Sequence, residues 1–202
     1  PPGGIGVCRP ADPSAGRGTA EIVSDVVLEI DPAGTVVQKW DLADMLDPNR
    51  MGYGNHRANT DLIDWSHSNE VYHDPRDDSI VVSVRNQDAV IKFSRSTGEL
   101  EWILGPHENW GPEFQDKLLA PVGDDFEWPY HTHAPMLMPN GNLLVHDNGN
   151  FRATPYDPAL PDHMNYTRAV EFAIDEDTME VTQVWAYGKD AEEVLYTPIV
   201  GD

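Results

Sequence analysis

VYHDPRDDSIVVSVRNQDAVIKFSRSTGELEWIL, residues 71–104, alternates short β-patterned runs with turn chemistry. Val71-Tyr72-His73 turns at Asp74-Pro75-Arg76-Asp77-Asp78 into Ser79-Ile80-Val81-Val82-Ser83. Ala89-Val90-Ile91-Lys92-Phe93 then turns through Ser94-Arg95-Ser96-Thr97-Gly98 into Glu99-Leu100-Glu101-Trp102. β-branched and aromatic residues suit a pleated, packed surface, while Pro, Asp and Gly supply the dihedrals that reverse the chain. Two hairpins in series predict a four-stranded unit.

The unit recurs. Met136-Leu137-Met138 turns at Pro139-Asn140-Gly141-Asn142 into Leu143-Leu144-Val145, and residues 169–174 turn through Asp175-Glu176-Asp177-Thr178 into residues 179–185, ending on Trp185. Gly105 and Gly188 follow the two Trp strands. Upstream, residues 26–30 and 35–40 form another hairpin of the Trp kind around Asp31-Pro32-Ala33-Gly34. Four-stranded units repeated every several tens of residues predict an all-β fold, a β-propeller. At roughly 40 to 50 residues per blade, the chain supplies about three or four blades, which is expected to be part of a longer ring. Residues 1–20, rich in Pro, Gly and Ala, read as an irregular arm, and residues 21–202 as a partial propeller with loop insertions at 106–126 and 153–167. Residues 41–49 are expected to hold one helical turn before Pro48.

Charge narrows the partners. Thirteen Lys and Arg against 35 Asp and Glu give a formal charge of -22, which repels backbone phosphates and disfavours nucleic acid. The acids are spread along the chain, as on a solvated surface. Cys8 is alone, so no internal disulfide is available. No apolar run approaches the roughly 18 residues of a membrane span, and no signal peptide is visible at Pro1.

The chemistry-bearing residues gather before the first strand of each unit. Asp64-Trp65-Ser66-His67-Ser68-Asn69 leads into one, and Tyr130-His131-Thr132-His133-Ala134-Pro135 into the next. Innermost blade strands line a propeller channel, so His67 and the His131-x-His133 pair are expected to face one shared space. On a strand, His131 and His133 would share a face, a spacing that suits two metal-bound imidazoles. With no Cys pair and no HExxH helix, the preferred roles are hydrogen bonding to an oxyanion and proton transfer, and no metal is expected. Arg152 follows Asp147-Asn148-Gly149-Asn150, a turn that could return its guanidinium over the channel; such a fork matches a tetrahedral oxyanion, or else a neighbouring acid.

Three segments, DWSHSNEVYHDPRDDSIVVSVRNQDAVIKFSRSTGELEWILGPHENW, EWPYHTHAPMLMPNGNLLVHDNGNFRA and TRAVEFAIDEDTMEVTQVWAYGKD, resemble the bacterial arylsulfate sulfotransferases (aryl-sulfate:phenol sulfotransferases) in order and spacing across residues 64–190. The resemblance implies a six-bladed β-propeller, periplasmic or secreted and dimeric. It implies transfer of a sulfuryl group from a phenolic sulfate ester to a phenol through a sulfohistidine, with no cofactor and no nucleotide sulfate donor. His67, His133 and Arg152 match sulfate-holding residues of the family, with His131 as a register alternative to His133 and Asn69 as a further candidate. The nucleophilic histidine is expected beyond Asp202, so no catalytic nucleophile is assigned. Two alternatives remain open at this point: a non-catalytic propeller module that binds a ligand or protein, and a quinoprotein-like propeller. Residues 89–102 fit the quinoprotein docking motif poorly at Ser94 and Arg95.

Overall fold

A computed structural model describes residues 5–7, 18–52, 62–152, 160–199 and 201. β1 (Ile5–Val7) pairs antiparallel with β2 (Gly18–Val23), and β3 (Val26–Ile30) with β4 (Val36–Asp41). One turn of helix, α1 (Leu42–Met45), follows where expected, its start capped by Asp41, whose Oδ1 accepts the Ala43 N–H at 3.0 Å. β5 (Leu62–Asp64) then runs parallel to β2. Thus the arm expected to be irregular carries β1 and the start of β2.

Two larger sheets carry the repeat. β6 (Ser68–Asp74), β7 (Ser79–Val84), β8 (Ala89–Ser94) and β9 (Leu100–Leu104) form an antiparallel meander in chain order. After it, β10 (Ala120–Val122) comes from the insertion at 106–126, which also holds a 3-10 turn at Pro112–Phe114. The second meander is β11 (His133–Leu137), β12 (Leu143–Asp147), β13 (Arg168–Asp175) and β14 (Glu180–Tyr187), with β10 added parallel to the outer edge of β14. Of the insertion at 153–167, residues 153–159 lie outside the described residues, and a 3-10 turn follows at Asp162–Met164. The described sheets are all-β in character and do not form a closed ring.

The first meander is buried on both faces because β7 is apolar on both. Ile80, Val82 and Val84 pack with Ile91, Phe93, Ile103 and, from the N-terminal hairpin and helix, Trp40 and Leu42. Val81 points the other way and joins Val90, Trp102 and Leu104 against Leu143, Val145, Val170, Phe172 and Val181 of the second sheet. Fully burying each such side chain contributes about 1.5–3 kcal/mol, so this shared apolar layer sets the spacing of the two sheets.

Both meanders close in the same way. A Cβ on Gly105, just after β9, would land on the carbonyl of Asp88, the residue before β8. On Gly188, just after β14, it would land on the carbonyl of Thr167, the residue before β13. Glycine is required at both places for the same close approach of backbone to backbone. At the opposite end of the strands Lys92, only 5% exposed, reaches Asp77 and Glu176 at 2.5 Å each and Glu101 at 3.4 Å. Trp102 Nε1 donates to the same Glu176 at 2.8 Å. Burial alone would lower the Lys92 pKa, but its hydrogen bonds to Asp77 and Glu176 outweigh this and raise it. An ion cluster therefore pins the second sheet to the first.

Candidate functional site

β6 and β11 are the first strands of their meanders and lie side by side, so the segments before them meet at one end of the stack. Both strands bulge near their start, between Ser68 and Val71 and between His133 and Met136. The backbone is left-handed at His67 (φ 49°), Asp88 (φ 48°), His131 (φ 52°), Ala134 (φ 46°), Phe151 (φ 65°) and Arg152 (φ 27°). Non-glycine residues in this region are strained, and such strain gathers at functional sites.

His67 is 44% exposed, and its Nδ1 lies 2.7 Å from Asp64 Oδ2 at the end of β5. A carboxylate only accepts, so Nδ1 carries the hydrogen and Nε2 is the nitrogen that can meet a ligand. His133 is held similarly: its Nδ1 is 2.7 Å from Asn148 Oδ1. The amide orientation follows from Asn148 Nδ2, which donates to Thr197 O at 2.8 Å, so Oδ1 faces the imidazole and accepts from it. Burial pushes the His133 pKa down; Asn148 and the His131 carbonyl offset this in part, and Arg85 and His146 add to it.

His131 behaves differently from the expected strand partner. β11 begins only at His133, and the left-handed turn at His131 sends its ring into the interior, away from a shared face with His133. There it is 1% exposed, edge-on to Phe151 at 5.3 Å, with Nδ1 2.8 Å from Asp88 Oδ1. The aligned hydrogen bond to that oxygen comes from the His131 backbone N–H at 3.0 Å. His131 thus anchors the loop to the first sheet.

Arg152 is drawn inward as well. Its side chain is 6% exposed, one Nη bonds Asp147 Oδ2 at 3.1 Å and Tyr166 O at 2.7 Å, and the guanidinium lies 3.6 Å above the Tyr166 ring. Asp147 also takes Arg168 Nε at 2.7 Å and, through Oδ1, the Tyr130 N–H at 2.9 Å, which fixes the start of the histidine loop. Among the described residues, Arg152 Nε has no hydrogen-bond partner, and the same holds for the buried Ser68 Oγ, Asn69 Nδ2, Thr132 Oγ1 and Asn150 Oδ1. Buried polar atoms are nearly always paired, so their concentration at the starts of β6 and β11 and just after β12 is unusual.

His67, Asn69 and His133 accordingly come from the starts of β6 and β11 and Arg152 from the segment after β12, whereas His131 is a buried anchor. The orienting groups Asp64, Asp88, Asp147 and Asn148 are missed by the sequence pattern. One local signal was present, the acid three residues before His67 in Asp64-Trp65-Ser66-His67. The partnership of Asp88 with His131 spans 43 positions and leaves no local trace.

Two imidazoles and a guanidinium at the strand ends of a β-sheet stack form a donor set whose chemistry suits a small anionic group. The chain belongs to the arylsulfotransferase (ASST) family, which it matches over residues 5–202. It is 33% identical over 223 residues to the arylsulfate sulfotransferase AssT of Escherichia coli and 31% identical to that of Lelliottia amnigena, each alignment covering 88% of this chain. The chain spans 37% of the length of each of these relatives.

Proposed function

We propose that the protein transfers a sulfuryl group from a phenolic sulfate ester to a phenol, through a sulfohistidine and without a nucleotide donor. The carrying observation is that His67 and His133, at the starts of neighbouring strands, are both pinned through Nδ1 and so can turn Nε2 toward one ligand. Family membership and the sulfotransferase names of the relatives support the reaction class. Sulfuryl transfer resembles phosphoryl transfer: charge lies on the peripheral oxygens of a loose transition state, so positioned donors supply most of the catalysis.

In this proposal His67 and His133 hold the sulfate oxygens, and Arg152 contributes Nε while its Nη stays anchored on Asp147 and Tyr166. Asn69 adds an amide donor, and His131 supports the loop. His133, kept below its ordinary pKa by burial, takes up a proton as the anion arrives. Nε2 then becomes a donor, and substrate binding tightens as pH falls. No residue of the chain is assigned the role of sulfuryl acceptor. The two meanders are proposed as adjacent blades of a six-bladed propeller, with β6 and β11 innermost, in a periplasmic or secreted homodimer. Among the described residues, no helix is long and apolar enough to cross a membrane.

The test is 4-nitrophenyl sulfate with and without a phenol acceptor, added to the protein expressed at its natural full length. Acceptor-dependent nitrophenolate release is expected, and its absence would sink the transferase reading. His67→Ala is expected to lower kcat/KM by at least about 100-fold, the scale for removing one donor to a developing anion. Undiminished kcat/KM in a folded variant would show the site to be misplaced.

A further inference from the structure

Arg85 opens the 3-10 turn Arg85–Gln87 that follows β7. The turn is fastened to the segment that carries His67: Asn86 N–H donates to Ser66 O at 3.0 Å, Asn86 Nδ2 to Asp64 O at 2.5 Å and Gln87 Nε2 to Trp65 O at 2.6 Å. The next residue, Asp88, accepts the His131 N–H. Arg85 therefore stands on a turn clamped to both histidine segments.

A thread of direct contacts also joins it to His133. Arg85 Nη2 lies 3.4 Å from Pro198 O, which accepts from Asn150 Nδ2 at 3.0 Å. The preceding carbonyl, Thr197 O, accepts from the Asn148 amide that orients His133.

Arg85 differs from four of the described arginines in making no ion pair. Arg76, Arg95, Arg152 and Arg168 are each ion-paired to a carboxylate. Arg85 makes no such pair among the described residues; its remaining bond, from Nη1 to Asn86 Oδ1, is 2.9 Å. Of the nearby carboxylates, Asp64 lies against His67 Nδ1, and Asp88 takes the His131 backbone N–H through Oδ1. Burial pushes the Arg85 pKa down, and the charges of Asp88, Asp64 and Tyr196 offset this only in part. A planar fork held in place, partly desolvated and without a carboxylate, matches a tetrahedral oxyanion.

We propose that Arg85 is a direct contact of the transferred sulfate group, binding its oxygens through the guanidinium fork beside His67 and His133. The identity of the anion rests on the transferase reading; the anion site does not. The test is equilibrium binding of 4-nitrobenzenesulfonate, an unreactive aryl sulfonate, to the full-length protein. Arg85→Gln is expected to weaken binding about 10- to 100-fold, the range for losing a charge-assisted hydrogen bond, with Arg85→Lys recovering part of the loss. Equal binding by wild type and Arg85→Gln, or no binding by wild type, overturns the proposal. Phenylglyoxal labelling of the wild-type protein removes any dependence on variant folding: the sulfonate is expected to protect Arg85, and unchanged labelling overturns the assignment. If binding depends on Arg85 while 4-nitrophenyl sulfate is not turned over, the transferase reading falls and the anion site remains.

Discussion

After β7 the chain needs only the short turn of residues 85–88 to begin β8; after β12 it makes an excursion over residues 148–167 before β13 begins. The two connections leave equivalent strands and end under equivalent glycines, so they are one element at two lengths. The short turn has no spare chain with which to wrap its guanidinium, and Arg85 stays without an ion pair. The long excursion brings Tyr166 back over its own start, where carbonyl and ring take up Arg152 beside Asp147. Asn148, at the position corresponding to Arg85, pins His133 instead. Whether a guanidinium near the strand ends is ion-paired within the protein thus differs with how much chain follows the strand.

The glycines give the hardest test of that equivalence. Gly105→Ala and Gly188→Ala each drive a methyl into a backbone carbonyl and are expected to cost about 3 kcal/mol, at the upper end for overpacking. Guanidinium chloride midpoints measure both, and a large loss at one position alone would break the correspondence. Next in size is Arg152→Gln, expected to lower stability by about 2 kcal/mol, because Asp147 loses one charged donor but keeps Arg168. Arg85→Gln is expected to change stability by less than about 0.5 kcal/mol, since no ion pair is lost. Equal losses in these two variants would erase the distinction between a guanidinium with an ion pair and one without.

The smallest effect concerns acid. Burial holds His133 below its ordinary pKa, so the unfolded chain takes the proton first. The stability linked to this group is complete above the unfolded value of about 6.5 and drains away as pH falls through the lower folded value. His133→Gln should therefore show a smaller drop in urea midpoint between pH 7.5 and pH 5.5 than wild type. An equal or larger drop would place the acid sensitivity elsewhere.

The hairpins were legible because alternation, turn residues and the recurring Trp are local signals. β7, β8 and β12–β14 fall where the pattern puts them, as does the turn of helix after Asp41. β10 was not legible: Ala120-Pro121-Val122 is exposed throughout and becomes a strand only because β14 offers an edge. His131 and His133 show the limit of spacing arguments, since period two holds only within a strand and the left-handed turn lies just outside it. The surroundings of Arg85 are not legible either, because Asp64 and Asp88 are met by His67 and the His131 backbone, from different parts of the chain.

Lys92 gives the sheet stack a further property. A chain with a formal charge of -22 gathers dissolved cations around itself, and contacts between its acidic elements ordinarily depend on those cations. Here the ammonium between Asp77, Glu101 and Glu176 is covalently tethered to β8 and shielded from solvent. It acts as a resident counter-ion that cannot diffuse away on dilution. The junction between the two sheets carries its own counter-ion, and its cohesion depends less on dissolved cations than a contact between acids alone would.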